Sequence, residues 1–193
     1  MEGVQLASDV KQLTESLGKT PELVAKPAFI AVSGLPGTGK SYFCSKLAER
    51  LPIVILESDA LRKALFASPS YSSQESAHLF RTIRLLIERL LKKGNSIILD
   101  ATNLSKRNRE YIYSIADRLG VKLVLVRVEA PPWVVRERLE ARWENLESKS
   151  DADWAIYQRM KPSVQKIRRN HYAVDTSQDI TPVLDKIVRE VTH

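Results

Sequence analysis

Short, nearly unbroken apolar runs alternate along this chain with longer stretches in which apolar residues return every three or four positions. The runs at 28–32, 53–56, 96–99, 121–128 and 171–175 predict five strands, the fourth almost continuously apolar, as a strand covered on both faces requires. Helical patterns fill the intervals. Leu6, Val10, Leu13 and Leu17 predict an amphipathic helix over 4–17, with Gly18 at its end. Phe43, Leu47 and Leu51 mark a second helix, a short one starts at Ala60, and Leu79, Ile83, Leu86 and Leu90 form one face of a long helix over 72–93 that Gly94 and Asn95 close. Another spans 105–119, and Pro131-Pro132 opens the next. After a polar stretch ending near Ser150, a helix is expected from Asp151 towards Arg169, kinked at Pro162. Thr181 before Pro182 starts the last, with Val183, Leu184, Ile187 and Val191 on its apolar face.

Strands alternating with helices imply a parallel sheet with helices on both faces, an α/β fold. A length of 193 residues suits one sizeable core. Residues 28–193 therefore read as one domain, preceded at 1–27 by the amphipathic helix and a linker whose Pro21 and Pro27 prevent one continuous helix. The leading helix is expected to pack on its own domain.

The first strand runs into Gly34-Leu35-Pro36-Gly37-Thr38-Gly39-Lys40-Ser41, which fits G-x-x-x-x-G-K-[ST] and opens the second helix. In that context the glycines let backbone N–H groups converge on phosphate oxygens, and the helix N-terminus adds partial positive charge. Gly34, Pro36, Gly37, Thr38, Gly39, Lys40, Ser41 and Tyr42 are the expected nucleotide-binding residues, Lys40 reaching the β/γ-phosphates and the Ser41 hydroxyl taking the accompanying Mg²⁺. In a parallel sheet, ligands meet residues at the carboxyl ends of the strands. The second strand leads to Asp59 and, three residues on, Arg62; the pair suits a general base and an acceptor-orienting cation, or Ser58 or Asp59 simply caps a helix. The third leads to Asp100, positioned to hold a nucleotide's magnesium, with a turn aspartate as the alternative.

Arg136 has Glu140 four residues on and reads as a surface pair. Arg138 and Arg142 lie four apart with no acidic residue at three or four positions either side, an arrangement that an anion between them would stabilise, the alternative being a solvated basic face. Trp133, Trp143 and Trp154 are expected in the core rather than in a site, and His78, His171 and His193 lack metal-like companions. The net charge of +7 favours anionic partners, or serves solubility alone; Lys161, Lys166, Arg168 and Arg169 form a basic cluster that either guides a polyanion or is a solvated helix face. A lone Cys44 excludes an internal disulfide and reads as a small buried hydrophobe. The chain has neither a signal-like leader nor an apolar stretch approaching the roughly 18 residues of a membrane span, so a cytoplasmic protein with no membrane partner is expected.

Together, the loop at 34–41, Ser58-Asp59 with Arg62, Asp100-Ala101-Thr102-Asn103-Leu104, and Arg138 with Arg142 resemble the polynucleotide-kinase-like branch of P-loop kinases, with its AAA-type and zeta-toxin-like relatives. The resemblance runs from residue 28 to about 180 and implies a three-layer P-loop NTPase fold with sheet order 2-3-1-4-5 and an arginine-bearing lid. It also implies ATP as phosphoryl donor, Asp59 as general base, Arg62 on the acceptor side, and Arg138 and Arg142 on the lid over the phosphates. The implied reaction moves the γ-phosphoryl of ATP, with Mg²⁺, to a hydroxyl, foremost a polynucleotide 5′-hydroxyl. The same branch contains enzymes acting on sugars, nucleosides and antibiotics, which leaves a small-molecule acceptor open, as is an ATP-hydrolysing switch or binding module.

Overall fold

The computed structural model describes residues 2–102, 105–143 and 153–192. Five parallel strands, β1 (Ala28–Ser33), β2 (Ile53–Glu57), β3 (Ser96–Asp100), β4 (Lys122–Glu129) and β5 (Tyr172–Asp175), form one sheet in the order β2-β3-β1-β4-β5. The helices are α1 (Glu2–Ser16), α2 (Lys40–Ala48), α3 (Ser58–Leu65), α4 (Ser73–Lys93), α5 (Lys106–Leu119), α6 (Pro132–Trp143), α7 (Trp154–Met160) and α8 (Thr181–Thr192).

The period-two geometry of β1 distributes the core. Ile30 and Val32 face Phe43, Cys44 and Leu47 of α2 and Leu184 and Ile187 of α8, whereas Phe29 and Ala31 face Leu79, Ile83 and Leu86 of α4 and Ile112 and Ile115 of α5. Because β1 is central, all six of its residues are buried. The three layers are thereby fixed, and the loop after β1 emerges from their middle. Ser72 and Ser105 cap α4 and α5 through hydroxyls that accept from Glu75 N and Asn108 N.

Helix α1 joins the same core. Leu13 is fully buried with the α4 face, Gln12 Nε2 donates to the Ala64 carbonyl at the end of α3 (2.8 Å), and the buried Asp9 carboxylate meets His78 Nε2 on α4 at 2.7 Å. The first helix therefore braces α3, the element that follows β2.

One element departs from expectation. The helix predicted over 151–169 is α7, which stops at Met160 and passes into a 3₁₀ turn, Lys161–Ser163. Pro162 lacks an N–H and its ring crowds the carbonyl four residues back, so it ends the helix instead of kinking it. The following segment is irregular and carries Ile167 into the core. Lys166, Arg168 and Arg169 consequently lie on this irregular segment, not on a helix face. Residues 144–152, most of the predicted polar stretch, lie outside the described residues. Among the described residues, no helix is long and apolar enough to cross a membrane.

Candidate active site

The loop between β1 and α2 is closed by its own polar groups. Thr38 Oγ1 donates to the Leu35 carbonyl at 2.8 Å, and the ammonium of Lys40 donates to the same oxygen at 3.1 Å. Gly34 N is tied to the Thr102 carbonyl after β3 (3.2 Å), which fixes the loop against the neighbouring strand. Two glycines answer to close contacts. A Cβ on Gly34 would stand 2.3 Å from the Val128 carbonyl oxygen. At Gly37 the backbone adopts φ 76° and a Cβ would meet Val135 Cγ1 at 2.8 Å and Leu139 Cγ at 2.9 Å, so α6 packs directly on the loop. Pro36 and Thr38 are buried within it, while Tyr42 stands on the outer face of α2, 55% exposed.

The first turn of α2 brings Ser41 to the end of β3. Its hydroxyl donates to Asp100 Oδ2 at 2.6 Å, and Asp100 is only 4% exposed. A hydroxyl and a carboxylate so placed are hard oxygen donors of the kind magnesium takes alongside phosphate oxygens. Among the described residues, no group of three or more His, Cys, Asp or Glu side chains is placed to hold a metal by itself. A cation at this spot would depend on its nucleotide. Cys44, one turn into α2, is buried, and burial followed by the Asp100 charge pushes its thiol well up, so it stays protonated as the expected small hydrophobe.

On the β2 side, α3 begins at Ser58, with Glu57 in the capping position and no side-chain capping bond from it; Asp59 sits in the first helical turn, half-buried. Arg62 is one turn on and buried, 6% exposed. Its Nη1 forms a salt bridge with Glu75 Oε1, its Nη2 donates to Ser76 Oγ at 3.2 Å, and the Tyr71 ring covers its Cζ at 4.7 Å. Burial alone would raise the Glu75 carboxyl, yet bonds from the Ser70 backbone and hydroxyl and from Arg62 outweigh it and bring it down to about 2.

On the β5 side, Arg138 of α6 donates through Nη1 to Thr176 Oγ1 (2.7 Å) and through Nη2 to the Thr176 carbonyl (2.9 Å). Thr176 Oγ1 in turn donates to the Thr38 carbonyl at 2.7 Å, coupling α6, the β5–α8 loop and the loop at 34–41. Arg136 pairs with Glu140 at 2.7 Å, as expected of a surface pair. Arg142 comes one helical turn after Arg138 on α6, but its side chain, like those of Asn103, Leu104 and Trp143, lies outside the described residues. Trp133 is 69% exposed on the first turn of α6 and not in the core, whereas Trp154 packs with Val135 and Leu139 and stacks on Tyr157 at 4.9 Å.

The fold therefore brings Lys40, Ser41, Asp59, Arg62, Asp100 and Arg138 to one edge of the sheet. Lys161, Lys166, Arg168 and Arg169 are exposed, and Arg169 is occupied by Asp117 and the Tyr113 ring. A cavity of about 380 Å³ opens beside the loop, lined by Leu35, Arg109, Glu129, Tyr157 and Ile167 among others. Sequence reasoning missed Glu75 and Thr176. Ser72-x-x-Glu75 carries the spacing of a capping box, but nothing local reveals that the glutamate reaches back 13 residues to Arg62.

Comparison with known proteins agrees with this fold. The family model described as AAA domain matches residues 29–167. A UPF0200 protein of Saccharolobus solfataricus is 29% identical over 137 residues, covering 66% of this chain and 71% of its own. Among solved structures, Chaetomium thermophilum Kti12 in complex with ADP-AlF3 superposes with a TM-score of 0.67 at 20% identity, over 84% of this chain and 98% of that one. The Mycobacterium tuberculosis APS kinase CysC, in complex with AMPPNP and APS, gives 0.64 at 18% identity, over 87% and 99%. These likenesses share the three-layer P-loop fold.

Proposed function

The chain belongs to the AAA domain family, and on that premise we propose that it is an ATP-dependent kinase, transferring the γ-phosphoryl of ATP to a hydroxyl group. Residues 28–193 form the kinase domain in this reading and 1–27 an accessory helix and linker. The single observation that carries it is the convergence, at the carboxyl edge of one sheet, of the Lys40/Ser41 loop, of Asp100 bonded to Ser41 at 2.6 Å, and of Asp59 at the end of a different strand. A nucleotide-binding protein that only hydrolyses ATP has no need of an acceptor-side carboxylate there.

Backbone N–H groups of residues 34–41 and the α2 N-terminus would hold the phosphates, and Lys40 would leave the Leu35 carbonyl for the β/γ oxygens. Ser41 and Asp100 would hold Mg²⁺, whose contribution when bound is to neutralise charge on the phosphate oxygens. Asp59 accepts the proton of the attacking hydroxyl, since the reaction needs a positioned nucleophile more than covalent help. Arg138, anchored on Thr176, and Arg142 one turn on would stabilise the charge on the oxygens of the transferring phosphoryl group.

Two acceptor classes fit. A polynucleotide 5′-hydroxyl, the acceptor of the polynucleotide-kinase-like branch, is supported by the net charge of +7 and by the exposed Lys161, Lys166 and Arg168. A small hydroxyl compound is favoured by a more direct observation: Arg62, the cation expected to meet the acceptor, is already neutralised by Glu75. The deciding experiment tracks labelled γ-phosphate from ATP into pooled oligonucleotides, nucleosides and sugars. ATP consumption that is indifferent to every acceptor would remove the kinase reading.

A further inference from the structure

Arg62 is not merely near a carboxylate; both of its terminal nitrogens are engaged and its Nε is buried. Of the donors on the guanidinium, Nη1 is held by Glu75 and Nη2 by Ser76, and Nε is buried without a hydrogen-bond partner. The flat face is covered by Tyr71, whose backbone takes the left-handed conformation at φ 54°, rare for a bulky residue. The Glu75 carboxylate is fixed in turn: its Oε2 accepts from Ser70 N at 2.5 Å and Ser70 Oγ at 2.7 Å, and its Oε1 from Tyr71 N at 3.2 Å. Both side chains of the ion pair are only 8% exposed. A buried pair with this many supports is costly to open, because separating it strands a desolvated charge.

A phosphate is recognised by arginine through a fork of two parallel N–H bonds, and that fork is here presented to Glu75 and Ser76. An anion approaching the same guanidinium would meet the ionised Glu75 as well, and like-charge juxtaposition is repulsive. We propose that Glu75 is a specificity residue that occupies Arg62 and thereby sets the acceptor site for an uncharged hydroxyl compound, excluding one that carries a phosphate beside the reacting hydroxyl. The inference rests on the reading that Asp59 and Arg62 face the acceptor. Tyr71 and Ser70 act as the strap that keeps Glu75 in place.

The test uses inorganic phosphate as the probe and the whole chain, its nucleotide loop filled with Mg·AMPPNP so that the α-, β- and γ-phosphate positions there are all occupied. Titration calorimetry on the wild type is expected to show no further phosphate binding. Glu75→Gln, which keeps an acceptor oxygen for Ser70 but removes the charge, gains a phosphate site about tenfold or more tighter than any wild-type signal, and Arg62→Gln in that background abolishes it. Wild-type binding as tight as that of E75Q, or a gain in E75Q that survives loss of Arg62, overturns the proposal. Should E75Q be too unstable to titrate, its melting temperature is measured instead: phosphate raises it in E75Q alone if the proposal holds, and raises all three proteins equally if it does not. Failure of the kinase reading shows elsewhere, as no labelled phosphate passing to any hydroxyl compound, since phosphate binding requires no turnover. Where transfer is found, the preference in kcat/KM for a nucleoside over its 3′-monophosphate falls about tenfold in E75Q.

Discussion

Lys40, Asp59 and Asp100 occupy three different elements, and each is expected to fail in its own way. Lys40 donates to the Leu35 carbonyl within the nucleotide loop, and Lys40→Ala is expected to abolish phosphoryl transfer while far-UV dichroism and melting temperature stay near the wild type. Asp59→Asn preserves shape but not basicity; steady-state kinetics should show transfer down by about 10²- to 10⁴-fold with ATP affinity held. Equal loss of ATP binding would make Asp59 a structural residue. Asp100→Asn weakens the oxygen pair with Ser41 and should raise the magnesium concentration needed for half-maximal rate. All three positions were legible in the sequence because each lies at or just beyond a strand or its loop. Glu75 and Thr176 were not, because each acts on a partner far away in the chain, Arg62 in one case and Arg138 with Thr38 in the other.

Helices and strands were legible to the extent that their apolar periods are local. The five strands, the sheet order and the long α4 and α5 match expectation, with Gly94 and Gly120 ending those helices. The stretch after α7 was misread because basic and polar residues on both sides of Pro162 carry no period that separates helix from irregular chain, and only the burial of Ile167 reveals the path. Two elements offer sharp tests. Gly37→Ala pushes a methyl group into Val135 and Leu139 of α6 at a left-handed position, so it should lower thermal stability and lift α6 from the loop, weakening nucleotide binding measured by calorimetry. Leu13→Ala empties a fully buried site between α1 and α4 and should cost about 2–5 kcal/mol in urea unfolding; a loss under about 0.5 kcal/mol would mean that α1 is not part of the cooperative core.

At the scale of the whole molecule, charge sets the response to pH and salt. The Glu75 carboxyl lies below its ordinary value of 4.5, at about 2, so its contribution to stability is present above pH 4.5 and is lost as pH falls towards 2. Wild-type denaturation midpoints should therefore decline across that interval more steeply than those of E75Q. A polynucleotide acceptor gripped by several cations would show an apparent KM rising strongly with salt, whereas the uncharged acceptor that the Arg62–Glu75 pair favours would show almost no slope.

Every residue of β1 is buried and the strand is paired on both sides, with Phe29 opposite Ile97 and Leu123, so its amides have no route to solvent short of global unfolding. Their deuterium uptake is then a gauge of the folding free energy of the entire chain. The same strand carries the nucleotide loop, and any ligand of the native state slows that uptake by the factor 1 + [L]/Kd. Mass-spectrometric exchange at 28–33 thus weighs candidate donors and acceptors by affinity alone, before any of them has been seen to react.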